Sequence, residues 1–314
     1  FDDFTIGALT PMFAPILAIG GLLTFFGDAF PIWERVVFLW PIAFLGVVPM
    51  YYLLYQKYNS ILGAIGGTLI YAFNSYIIAR ETAHLYIVVA YLILAPLLFI
   101  TVDRLIRKPS GKNGLFFTAT TIAFSIFEIR ILYIFTLVLI AYAIYQYIQN
   151  KKLLSWHLVS TILISFAVII LVQSYWLFPF LFAHSSLGYS SFTSRSLFES
   201  FTTFSHALTL SDYSWTGSGF TEFVTQPVTR WLYGVPILAF AWIIAKPRKQ
   251  KSGDLWFWTG VACIGIFLAK QANAPFPHAY QWIFEHIPGF QLFRDASKFY
   301  LYIGFSYAIL ISAT

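Results

Sequence analysis

The chain has 314 residues; 59% are hydrophobic, 20% aromatic and only 10% charged. Soluble domains run at about 45–50% apolar and about 25% charged, so an ordinary cytosolic enzyme, a disordered chain and a nucleic-acid-binding module are excluded, and nucleic acid is not an expected partner. A mean hydropathy of +0.74 with a net charge of +6 fits a polytopic membrane protein, in which Lys and Arg report orientation.

In chain order, Ile6 to Phe26 comes first, apolar but broken by Pro11, Pro15 and Gly20-Gly21; it either spans or lies along the surface. Apolar spans are expected at about 36–55, 60–79, 84–102, 114–127, 131–147, 155–181, 231–246, 255–270 and 299–314. None alternates as a membrane barrel strand would. The expected fold is an all-α, polytopic transmembrane helix bundle of about nine or ten spans, with broken or short helices and outer-face loops. It forms one domain over 1–314, with an outer or interfacial stretch at 1–35 and large outer loops at 183–230 and 271–298. The start at Phe1 and the end at Thr314, inside an apolar run, suggest a segment of a longer chain. The one cysteine, Cys263, excludes a disulfide framework, a thiolate zinc site and a CxxC motif.

Three basic turns fix orientation: Asp103–Lys112, Lys151-Lys152 and Lys246–Lys251. All three can be cytoplasmic only if Gly114 to Tyr147 is a hairpin with Glu128-Ile129-Arg130 at its outer tip. Its limbs are short for a core of roughly 30 Å, which needs about 20 residues, so the tip is expected below the surface, inside the protein. With this topology all but two of the 13 acids, Asp103 and Asp254, fall outside, as do five of the six His. The chemistry is then expected on the extracytoplasmic face of the cell membrane.

Several constellations lie on that side. Asp2 and Asp3 pair two carboxylates beside the first apolar stretch; such a pair can act as a general base, ligate a divalent cation such as Mg or Mn, or simply end a solvated loop. Arg80, Glu81 and His84 can bind a phosphate or shuttle a proton, or form a helix-end ion pair with an interfacial His. Glu128 and Arg130 are ionisable at membrane depth, functional by default unless they only pair with each other. Arg294 and Lys298, four apart with Asp295 between them, would share a helical face able to grip a phosphate, or would snorkel. The loop from His184 to Arg230 mixes hydroxyls and aromatics, which suit sugars and equally an interfacial aromatic belt. No nucleotide-binding fingerprint, HExxH or GxSxG occurs.

Taken in order, these parts resemble a known family. Gly7-Ala8-Leu9-Thr10-Pro11 leads to Ile32-Trp33-Glu34-Arg35. Ala83-His84-Leu85 follows, then Ala95-Pro96-Leu97 and Ser174–Pro179, and last Pro288-Gly289-Phe290 with Phe293–Lys298. This order is similar to the GT-C superfamily of polytopic glycosyltransferases, and within it to the arabinofuranosyltransferase D type. The resemblance implies a sugar donor linked to polyprenyl phosphate, a glycan, lipid or protein acceptor, and transfer on the outer face. Asp2 or Asp3 matches the family's catalytic acid in the first outer loop, and Arg294 its late-loop basic position. On that reading Arg294, Lys298 and Arg130 would hold the donor phosphate, and Glu81, His84, Glu128 and Asp295 would position substrate. The alternatives are a transporter or flippase of lipid-linked sugars, to which broken helices and buried charges also belong, and a non-catalytic membrane subunit.

Overall fold

The computed structural model describes residues 15, 18, 21–22, 35–80, 85–182, 202–211, 228–245, 252–287, 289–293 and 296–314. Among these the protein is all-helical. Its main helices are α1 (Val48–Tyr58), α2 (Ile61–Ala72), α3 (Ser75–Arg80), α4 (Leu85–Arg107), α5 (Gly111–Gln149), α6 (Trp156–Phe182), α7 (Phe204–Leu208), α8 (Gly234–Phe240), α9 (Ser252–Ala269), α10 (Pro277–His286) and α11 (Tyr300–Ala313). Among the described residues, four stretches are long and apolar enough to cross a membrane: α4, α5, Trp156–Phe178 of α6, and α9. The chain forms two compact units, Phe1–Phe44 with Val89–Thr193, and Leu45–Val88 with Ser194–Thr314.

Local sequence explains where the helices start and break. Ser60 caps α2, its hydroxyl accepting from the Gly63 N–H at 3.1 Å, and Ser110 caps α5 through Asn113. The stretch expected as one span over 60–79 is interrupted at Phe73-Asn74. There the buried Asn74 side chain donates to Tyr71 O at 2.7 Å and accepts from Ile77 N–H at 3.2 Å, satisfying backbone groups the break exposes. The stretch expected over 36–55 is likewise interrupted, at Gly46-Val47, before Pro49. In α4, the turn Ala90–Leu94 widens into a π turn just before Pro96, which has no N–H to donate back into the helix.

In the first unit, α5 is not straight. As one rod its 39 residues would be roughly 58 Å long. Yet Gly114 packs against Thr161, Phe117 stacks edge-on to Phe166, and Gln173 bonds to Ser125, so α6 runs parallel to the first limb of α5. The link from Gln149 to Trp156 can reach at most about 25 Å. The second limb must therefore return to where the first began. Phe124 and Phe135, with ring centroids 6.4 Å apart, face each other across the fold. The reversal is at Glu128, the one residue of α5 with extended backbone (φ −158°, ψ 94°). At the hairpin's open end, Tyr142 donates to Asp103 at 2.7 Å, and Arg107 binds the same carboxylate. The hairpin expected from the basic turns is thus present, and its two short limbs lie within α5.

The second unit is built around α11, whose residues Tyr300 to Leu310 are all buried. A helix apolar on every side belongs in a core. Along its length α2 and α3 run antiparallel: Tyr76 of α3 stacks on Tyr300, Tyr71 meets Phe305, Gly67 lies against Ala308, and Ser312 donates to Gly63 O at 2.8 Å. On another side α9 also runs antiparallel, with Gly265 against Tyr302 and Trp258 against Phe305. At the start of α9, Lys57 and Asp254 form an ion pair at 3.2 Å, with the Lys57 ammonium also above the Trp258 ring.

Candidate functional site

Two polar centres stand out in this apolar protein, one in each unit. The first is the turn of the α5 hairpin. Glu128 is fully buried, and its carboxylate takes two 2.7 Å hydrogen bonds from the Arg130 guanidinium, one from Nε and one from Nη2. It also accepts from the Arg130 backbone N–H at 3.2 Å. Glu128 therefore acts as the N-cap of the second limb, supplying an oxygen to its first free N–H groups and a negative charge to its positive dipole end. Both charges are compensated in a fork geometry, which is how ion pairs survive at depth. Just below the turn, Ser125, Gln173 and Trp176 form a chain in which Trp176 Nε1 donates to Gln173 Oε1 at 2.7 Å and Gln173 bonds on to Ser125. Sequence reading singled out the ionic pair; it missed Gln173, the one amide side chain of α6.

The second centre lies past the C-terminal end of α9. Lys270 is fully buried. Its ammonium donates to Asn273 O at 2.6 Å and Gln271 O at 3.3 Å, and sits 4.7 Å from the centre of the Phe267 ring. Among the described residues it meets no carboxylate. Burial lowers its proton affinity from the usual lysine range. The neighbouring Asn273 donates to Thr202 O at 2.9 Å, tying this corner to the α7 segment. That segment is rich in satisfied polar groups. Thr203 and His206 exchange capping bonds, Thr209 bonds to Ser211, and Ser75, Tyr300 and Tyr307 donate to the carbonyls of Leu210, Ser211 and Leu208. Lys298 is also in this unit, 4% exposed, on the tight turn Ala296–Phe299 that enters α11. Lys298 thus sits on a 3₁₀ turn and not on the α-helical turn its four-residue spacing from Arg294 assumed; Arg294 lies outside the described residues.

Of the residues singled out by sequence, Glu128 and Arg130 are brought together, and Lys298 is placed in the other unit. Asp2, Asp3, Glu81, His84, Arg294 and Asp295 lie outside the described residues, as does most of the His184–Arg230 loop. Lys270 was missed as a site. Its signal was a lone cation at the end of an apolar run, followed by Gln271 and Asn273. Among the described residues, no group of three or more His, Cys, Asp or Glu could hold a metal ion; Asp2 and Asp3, the residues named for that role, are not among them.

No known family model, no curated protein and no solved structure matches this chain.

Proposed function

We propose that this protein is a GT-C-type membrane glycosyltransferase, a bundle of nine or ten spans in the cell membrane, which moves a sugar from a polyprenyl-phosphate donor to a glycan, lipid or protein acceptor on the extracytoplasmic face. The supporting observation is the α5 hairpin: a chain reversal inside the protein, held by the fully buried Glu128 paired with Arg130. Ionisable groups at such depth are costly and are retained mainly where they serve a site.

In this reading the acceptor hydroxyl loses its proton as its oxygen attacks the anomeric carbon. Asp2 or Asp3 takes that proton. The bond from the anomeric carbon to the lipid phosphate breaks, and the electron pair leaves on the phosphate oxygen. Arg294 and Lys298 stabilise the charge that develops there. One direct displacement inverts the anomeric centre. Glu81, His84 and Asp295 orient the substrates. A divalent cation at Asp2 and Asp3 would add further positive charge at the phosphate.

The test is sugar transfer in membranes containing the protein, from a panel of polyprenyl-phosphate pentoses and hexoses. Asp2→Asn, Asp3→Asn and Arg294→Gln are compared with the parent. Losing the base should slow transfer about 10²–10⁴-fold. Unchanged transfer in all three variants overturns the assignment.

A further inference from the structure

The second unit carries an apolar groove that the transfer reaction does not use. Ile264, Phe267 and Leu268 of α9 form one wall. Ile283 and Ile287, at the end of α10, and Phe290 form the other, and the groove encloses about 410 Å³. That lies in the range of roughly 300–1,000 Å³ typical of small-molecule sites, but here the lining is hydrocarbon. Much of it stays open: Ile264 is 54% exposed and Ile287 37%. In water this would be a liability. It lies on α9, a helix apolar and long enough to cross a membrane, where an open hydrocarbon surface suits lipid.

The placement of α10 and Lys270 specifies the lipid. α10 is amphipathic: Tyr280 and Phe284 are buried, while Trp282 is largely exposed and stacks on His286, with Phe276 exposed just before the helix. Exposed aromatics of this kind sit at the headgroup level. With α9 across a membrane, this would put one end of the groove at the interface and the rest along α9 in the apolar layer. At the interface end, Phe267 lines the groove and carries the Lys270 ammonium against its ring. Lys270 meets no carboxylate among the described residues. Against it stand the partial negative end of α9 and Glu285, exposed on α10 and bonded to Gln281; the exposed His278 and His286 add no negative charge. Glu285 is screened by solvent, whereas the Lys270 charge is buried. In a low-dielectric setting a buried charge is weakly screened and attracts an anion without touching it.

We propose that the α9–α10 groove holds the hydrocarbon chain of an anionic membrane phospholipid, with the phosphate headgroup at the level of Lys270. This needs only that α9 crosses the membrane; failed sugar transfer leaves it standing, and its failure leaves the transferase reading untouched.

The experiment reconstitutes the whole protein in bilayers containing phosphatidylglycerol or phosphatidylcholine with a photoreactive diazirine in one acyl chain, and maps the adducts by peptide mass spectrometry. Adducts should concentrate on 263–268 and 283–290 relative to the exposed face of α6 around Leu163 and Ile164. Phosphatidylglycerol should label the groove about fivefold more than phosphatidylcholine, the effect of one lysine near an anionic surface. Ile264→Trp, which fills the groove, should abolish these adducts and spare those on α6. Lys270→Gln should keep chain labelling and lose the headgroup preference. Adducts spread as densely over α6 as over the groove, or equal labelling by the two lipids, overturn the proposal. Cys263, exposed on the groove wall and the only cysteine in the chain, gives a check without mutation. Its reaction with a membrane-permeant maleimide should slow as the phosphatidylglycerol fraction rises, and an unchanged rate counts against the site.

Discussion

Phe124 and Phe135, eleven positions apart and on opposite limbs of α5, pack with ring centroids 6.4 Å apart. A straight helix would separate them by roughly 16 Å along its axis. The contact therefore reports a full reversal of the chain between them, at a buried glutamate and not at a proline or glycine.

That reversal is measurable as a distance. Spin labels at Lys112 and Gln149, both exposed on α5 and introduced in a Cys263→Ser background, would lie roughly 55 Å apart on a straight helix. The hairpin places them at less than half that distance. A pulsed dipolar measurement in bilayers decides between the two.

The Glu128–Arg130 pair should be worth more as a pair than either member alone. Glu128→Gln leaves the Arg130 guanidinium half-paired in a buried place, and the expected loss is about 3–5 kcal/mol. The double variant Glu128→Leu/Arg130→Met removes both charges and should recover a large part of that loss. Denaturant unfolding in micelles, run as a double-mutant cycle, measures the coupling; additive losses would contradict the structure.

Neighbouring glycines of α2 should respond in opposite ways to the same added methyl. A Cβ at Gly67 would collide with the Ala308 carbonyl and the Ser312 hydroxyl, whereas at Gly66 the nearest atom is Ile311 Cγ2 at 3.8 Å. Gly67→Ala should cost about 1–3 kcal/mol through overpacking against α11. Gly66→Ala should be neutral or stabilise by up to about 1 kcal/mol, since alanine is the better helix former. Thermal unfolding of the two variants side by side is the check.

Lys270 should make stability depend on alkaline pH. Burial lowers its folded-state proton affinity below that of the unfolded chain. Between the two values the unfolded state binds more protons, so stability rises with pH there. The penalty of burying the charge is fully present below the folded value and is lost as pH climbs through it towards the ordinary lysine range. Relative to Lys270→Met, the parent should gain stability over that window and not below it. A flat difference across the alkaline range would show that the ammonium is not desolvated by folding.

How much of this was legible beforehand differs from element to element. The hairpin was readable because a charge rule acts on loops: basic residues at both its ends and a Glu–Arg pair between two short apolar runs leave few topologies. The breaks at Gly46-Val47 and Asn74 were not readable, because apolar composition continues through them and the compensating hydrogen bonds come from the local fold. Lys298 was legible as a cation near a helix start, but its 3₁₀ turn was not, since four-residue spacing implies a shared face only if the segment is α-helical.

By itself, then, the sequence determined what kind of solvent this chain requires. Its apolar runs commit it to helices, because a buried backbone must satisfy its own hydrogen bonds, and its sparse charges commit it to a set of turns. Only the tertiary structure decided which polar groups are enclosed. Glu128 is buried where the chain reverses between the two limbs of α5, and Lys270 because α9 ends beside a segment far away in sequence. Burial is a property of partners, and a single chain read in order does not state who its partners are.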